Sequence, residues 1–166
     1  ILIGLDNGEW EVRNSSLGAV KTRGIDNSFD GDDVNAVDWS PDGSRYVLGY
    51  EDVGPRVYNG STHQSLSHSY ADIRDVLDVG WSPVQDRSHA SYNKLVVQGN
   101  NGRVLIYDAL SSGVVLELEG RGSRVTESSV NWSPDGELVA VVSQGWVGVF
   151  APWDENPPVV NVTSHT

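Results

Sequence analysis

Short stretches in which apolar and polar residues alternate recur along this chain, and each runs into a turn signal. Val37-Asp38-Trp39, Val79-Gly80-Trp81 and Val130-Asn131-Trp132 are all followed by Ser-Pro. Alternation with period two predicts a strand with one buried face, here with Val and Trp pointing inward. Trp-Ser-Pro is therefore a repeat, starting at Trp39, Trp81 and Trp132. Two copies continue as Ser-Pro-Asp-Gly, at Ser40 to Gly43 and Ser133 to Gly136. Pro at the second position and Gly at the fourth suit a hairpin turn.

Each unit can be laid out from its Trp. The Trp closes strand a. Strand b is predicted at Tyr46 to Gly49, Leu95 to Gly99 and Leu138 to Ser143, with residues suited to burial on both faces. Gly54, Gly102 and Gly145 mark the next turn, and strand c covers Arg56 to Asn59, Leu105 to Asp108 and Gly148 to Ala151. Strand d is the least regular, near Ser65 to Ser69, Val114 to Glu119 and Val159 to Thr163, as expected of an outer edge. The N-terminal stretch fits from its second strand onward: Leu2 to Leu5 as b, the Asp6-Asn7-Gly8 turn, Trp10 to Asn14 as c and Ala19 to Arg23 as d. Asn14, Asn59, Asp108 and Ala151 close the c strands at intervals of 45, 49 and 43 residues, the period of a four-stranded unit. The long middle interval comes from a polar insertion, Val84 to Asn93, expected to protrude as a loop.

Composition agrees with an all-β class. The chain has 166 residues, enough for one sizeable core, and no apolar run long enough to cross a bilayer as a helix. Its net charge of −12 comes from fifteen Asp and eight Glu against nine Arg and two Lys. With the Arg residues scattered among acids, no basic stripe is present to grip phosphates, so nucleic acid is not an expected partner. Such an excess would also repel anionic membranes. There is no Cys, so disulfides and thiolate metal sites are excluded. Candidate glycosylation triplets start at Asn14, Asn59 and Asn161 and permit an extracellular setting without arguing for one. A chain that opens on Ile1, inside a predicted strand, is expected to be part of a longer polypeptide.

The repeat resembles the WD-repeat family of β-propellers. The residues that carry the likeness are Val37 to Gly43, Ser129 to Gly136 and Gly99 to Asp108. The family's Gly-His pair before strand a is absent, and its Trp-Asp pair appears only as Tyr107-Asp108 or Tyr58-Asn59. The resemblance implies an all-β fold of four-stranded antiparallel blades, about three and three-quarter in number: a partial blade at 1–29 and blades at 30–70, 71–122 and 123–166. Lone blades leave apolar faces in water. Half of a larger ring, a ring completed by a second copy, and a closed four-bladed ring all meet that need. In such rings the d-to-a and b-to-c loops share the face used for docking, which here implies Asp32, Asp33, Glu51, Asp52, Arg74, Asn100, Asn101 and Arg124 as interaction candidates. Trp39, Trp81 and Trp132 are implied wedges between blades.

Other candidates read more plainly as surface chemistry. The Asp30-Gly31-Asp32-Asp33 cluster lacks the spaced ligands of a calcium loop and reads as a solvated turn. His63, His68, His89 and His165 have no zinc spacing and no relay partner. Trp153, in a Pro-rich connection, is the indole expected to be exposed. No catalytic constellation, cofactor motif or metal motif stands out. The expected function is a non-enzymatic scaffold for protein or peptide partners, including the remainder of its own propeller or further copies of itself. The alternatives are a propeller portion of a peptidase or dehydrogenase whose catalytic residues lie elsewhere, and an extracellular self-assembling or adhesive protein.

Overall fold

A computed structural model describes residues 1–16, 18–25, 32–66, 73–118, 128–143, 146–154 and 160–163. These residues form strands joined by tight turns, with one short 3-10 turn at Asp6–Gly8. The first sheet holds β1 (Leu2–Gly4), β2 (Glu9–Arg13) and β3 (Val20–Ile25). The second holds β4 (Val34–Trp39), β5 (Arg45–Tyr50) and β6 (Gly54–Asn59). The third contains β7 (Val76–Trp81), β8 (Lys94–Gly99), β9 (Val104–Asp108) and β10 (Val114–Leu118). The fourth contains β11 (Ser128–Trp132), β12 (Val139–Ser143), β13 (Trp146–Phe150) and β14 (Val160–Thr163). Every pairing is antiparallel between chain neighbours. The fold is therefore all-β, in four small open sheets.

Local chemistry explains the hairpins. Ser40 Oγ accepts the Arg45 N–H at 2.9 Å, and Asp42 accepts from the Ser40 hydroxyl at 2.7 Å and the Ser44 N–H at 3.0 Å. Ser133 and Asp135 repeat this arrangement, with Leu138 N–H donating to Ser133 Oγ at 2.9 Å. Gly43 and Gly136 take the left-handed backbone conformation that such a corner requires. Gly54 and Gly102 likewise have positive φ at the next turns, while Gly145 lies outside the described residues. Among the described residues, the outer strand of the second sheet shows one bridge, Tyr58 to Ser65, and residues 67–72 lie outside the described set.

Consecutive sheets pack face to face, because their middle strands bury both faces. Along β5, Tyr46, Leu48 and Tyr50 join Trp10 and Val12 of the first sheet, whereas Val47 packs with Val79, Trp81, Leu95 and Val97 of the third. In the third sheet Leu95 and Val97 face back toward the second, while Val96, Val104 and Ile106 face the fourth. Trp81 and Trp132 are each 6% exposed inside these junctions. Trp39 is half-buried beside Tyr46, with ring centroids 5.2 Å apart.

Polar ties lock the same seams. The Asp38 carboxylate accepts the N–H of its neighbour Trp39 at 2.8 Å and the N–H of Trp81, across the seam, at 2.6 Å. Asp78 repeats this one sheet on, accepting from Val79 and from Val130, both at 2.9 Å. Burial raises the Asp38 pKa, opposed by the two N–H donors and assisted by the Asp78 charge. In β4 and β7 one extra residue interrupts the register, Asn35 and Leu77 respectively, and the Asn35 amide reaches across to donate to Val76 O at 3.0 Å.

The two outermost faces differ in chemistry. Opposite Trp10 and Val12, the first sheet holds Glu11, clamped by the guanidinium groups of Arg13 and Arg23, whose hydrogen bonds lower its pKa. On the fourth sheet, β12 buries Val139 and Val141 but exposes Ala140 and Val142, the latter by 44%. Two sequence expectations change here. Strand b of this sheet is buried on one face only, since no described sheet covers the other. Trp153 is not an exposed contact: it lies half-buried on the core between the third and fourth sheets and stacks on Trp132, with ring centroids 6.4 Å apart.

The 82–93 insertion is only partly the protruding loop its polarity predicts. Residues 85–88 are exposed, but Ser91 and Asn93 are buried and His89 pairs with Glu137 of the fourth sheet at 2.9 Å. A Cβ on Gly136 would collide with Val84 and Ser91, so the insertion lies directly on the next sheet's Ser-Pro corner.

Candidate functional site

At the end of the sheets opposite the Ser-Pro corners, loops from three sheets converge on one acidic cluster. The chain enters β4 through Asp32 and Asp33. Asp33 accepts the Asn7 N–H of the first sheet's turn at 2.8 Å, and its backbone oxygen accepts the Glu51 N–H at 3.0 Å. Gly8 has positive φ at this close approach, where a Cβ would sit 3.0 Å from the Asp32 carbonyl oxygen. Glu51 and Asp52 lie on the exposed β5–β6 turn. Before β7, Ile73 is fully buried and anchors Arg74 and Asp75 at the surface. Asn100 then closes the cluster from the β8–β9 turn: its N–H donates to Asp75 O at 2.9 Å and its side-chain amide to Asp75 Oδ2 at 2.5 Å.

Of the sequence candidates, Asp32, Asp33, Glu51, Asp52, Arg74 and Asn100 thus gather at one end of the sheets. Asn101 turns back on its own hairpin, accepting the Arg103 N–H at 3.0 Å. Arg124 lies outside the described residues. Two members were not singled out from sequence, Asn7 and Asp75. Asn7 stood in the legible Asp-Asn-Gly turn; Asp75, beside Arg74, had no pattern to mark it.

The cluster is electrostatically loaded. Burial raises the Asp75 pKa, and a hydrogen bond shared with Asp52 and that neighbour's charge add to the effect, against Asn100 and Arg74. Glu51 is also raised, by lost hydration and then by Asp33, Asp52, Asp75 and Asp32. The folded state therefore holds protons more tightly than the unfolded chain here, so stability falls as pH rises from the ordinary carboxylate range through the raised values. Asp75 also sits at φ 50, a conformation that asparagine tolerates well. Asp75→Asn is expected to stabilise the chain at pH 7 by about 0.5–1 kcal/mol, the scale of a partly screened charge interaction. The gain should vanish below about pH 4, where the wild-type carboxyl is neutral. Thermal melts at several pH values check this; a destabilised variant at pH 7 would refute it.

The histidines hold local roles. His63 is partly buried near Tyr46, 3.4 Å from its hydroxyl, and burial followed by Lys21 lowers its pKa. Against the sequence expectation of no relay partner, His89 lies between two: its Nδ1 contacts the hydroxyl of the fully buried Ser91 at 2.7 Å and its Nε2 the Glu137 carboxylate at 2.9 Å; His68 and His165 lie outside the described residues. Among the described residues no group of three or more His, Asp or Glu is arranged to hold a metal ion, and no helix is long and apolar enough to cross a membrane. The arrangement at the loop cluster suits recognition of a cationic group by carboxylates held on rigid hairpins. No family model matches the chain, and no curated protein matches it.

Proposed function

We propose that the chain is a portion of a WD-like β-propeller that acts as a non-enzymatic platform for protein or peptide partners. The supporting observation is the register. Val47 and Val57 of the second sheet, and Val96, Val104 and Ile106 of the third, are buried against the sheet that follows. Ala140, Val142, Val147 and Val149 hold the matching positions in the fourth sheet and are exposed or half-exposed. The repeat thus leaves a face prepared for one more sheet.

A further sheet of the same repeat fits that face better than the first sheet of a second copy. The second copy would offer Glu11, Arg13 and Arg23, and burying those charges against valines costs more than their pairing returns. The platform itself is the loop cluster, whose partner on charge grounds is a basic peptide segment.

A peptide array probed with the labelled chain and with an Asp33→Ala/Glu51→Ala double variant tests the platform. Lys- and Arg-rich peptides should bind the wild type and lose at least tenfold in the variant. Binding that ignores the two substitutions, or no binding of basic peptides, would dispose of the reading.

A further inference from the structure

At the other end of the sheets, a cleft of about 350 Å³ opens between the Ser-Pro corner of the second sheet and the 82–93 insertion of the third. Its walls include Arg45, Asp42, Trp81, Arg87, Tyr92 and Asn93. We infer that this cleft is a binding site for a carboxylate carried on a short peptide segment. The inference goes beyond the platform reading, because it concerns a different surface of opposite charge preference and does not depend on the loop cluster.

The argument begins with the arginines. In a chain of net charge −12, guanidinium groups find carboxylates easily: Arg13 and Arg23 hold Glu11, and Arg103 holds Glu117. Arg45 and Arg87 line the same cleft, and among the described residues neither has a carboxylate within ion-pair distance, Arg45 acting on Asp42 only through its charge. Arg45 makes one long contact, 3.4 Å, to Asn93 Oδ1. Asn93 is itself 8% exposed with φ 56, and its Nδ2 has no hydrogen-bond partner among the described residues. That nitrogen is sealed inside the wall and offers nothing to a ligand, so the positive character of the cleft rests on the two guanidinium groups. Two guanidinium groups thus line one cleft with no carboxylate within ion-pair distance to accept from them.

The one carboxylate in the wall does not fill that role. Asp42 is occupied by the Ser44 N–H and by the Ser40 and Ser44 hydroxyls, which with the Arg45 charge keep its pKa low. A carboxylate matches the planar guanidinium fork with two parallel hydrogen bonds. Trp81 and Tyr92 supply flat apolar walls, and the volume is at the small end for ligand sites, enough for a side chain with its flanking backbone. The insertion creates the site, since Arg87, Tyr92 and Asn93 all belong to it.

Fluorescence anisotropy tests the assignment, using a fluorescein-labelled peptide of two glutamates flanked by glycine and tyrosine, and its glutamine counterpart, at about 150 mM salt to limit long-range repulsion. The glutamate peptide should bind saturably, and the glutamine peptide at least tenfold more weakly. Arg87→Gln, at an exposed position, should lower affinity for the glutamate peptide about tenfold with an unchanged melting temperature, and Arg45→Gln should act in the same direction. Equal binding of the two peptides, absence of saturable binding, an Arg87→Gln protein that binds like wild type, or displacement by equimolar inorganic phosphate would each overturn it.

Discussion

Trp81→Ala is expected to lower the stability of the chain by about 3–5 kcal/mol, the range for deleting a buried aromatic side chain. The indole is 6% exposed and packs in a cluster that draws Val47 and Val57 from one sheet and Leu95 and Val97 from the next. Collapse into the space is resisted, because the Asp38 and Asn35 side chains hold the two sheets at hydrogen-bonding distance. Most of the cavity should therefore persist. Trp39→Ala removes a half-buried ring and should cost roughly half as much. Urea unfolding followed by far-UV circular dichroism measures both. Equal losses at the two positions would show that the Trp39 and Trp81 environments are not as different as their burial indicates.

Asp38→Ala should have the next largest effect, about 1–3 kcal/mol for the stranded Trp81 N–H alone. Its acceptor oxygens serve donors on both sides of a seam, and alanine replaces neither. The pH dependence gives a sharper signature. Burial holds the folded-state pKa of Asp38 above its unfolded value, so the wild type takes up a proton on folding within that window. Its margin over Asp38→Ala should be widest in acid and narrow as pH rises through the raised value. A margin that widens with rising pH would mean that the two N–H donors outweigh burial at this carboxyl.

Much of the architecture was legible because the turns are chemically explicit. Ser-Pro-Asp-Gly at Ser40 and Ser133 fixes where one strand ends and the next begins, and alternation through Val37 and Trp39 fixes which residues point inward. Four antiparallel sheets follow from those two signals. The cross-sheet ties were not legible: Asp38 stands one residue before its Trp and Asp78 three before its own, so the pair shares no repeat position even though both carboxylates do the same work. Trp153 misled for another reason. A Pro-rich setting signals a loop, but loops fold back over apolar surface, and this one lays its indole on Trp132. The insertion is similar, since a polar sequence conceals how closely Val84 and Ser91 press on Gly136. Of the loop cluster, Asp32, Asp33, Glu51, Asp52, Arg74 and Asn100 were foreseeable from the family resemblance, whereas Asp75 and its pairing with Asp52 and Asn100 depend on a backbone conformation that no pattern announces.

The supernumerary Asn35 in β4 has an effect beyond its own amide contact. Because successive side chains in a strand leave on opposite sides, one additional residue reverses the sense of everything before it while leaving Asp38 and Trp39 untouched. Asp32 and Asp33 thus owe their direction to a two-for-one mismatch in the ladder. Excising that single asparagine would leave the composition of the acidic end intact and turn its approach to β4 through half a revolution, away from Asn7 and Glu51.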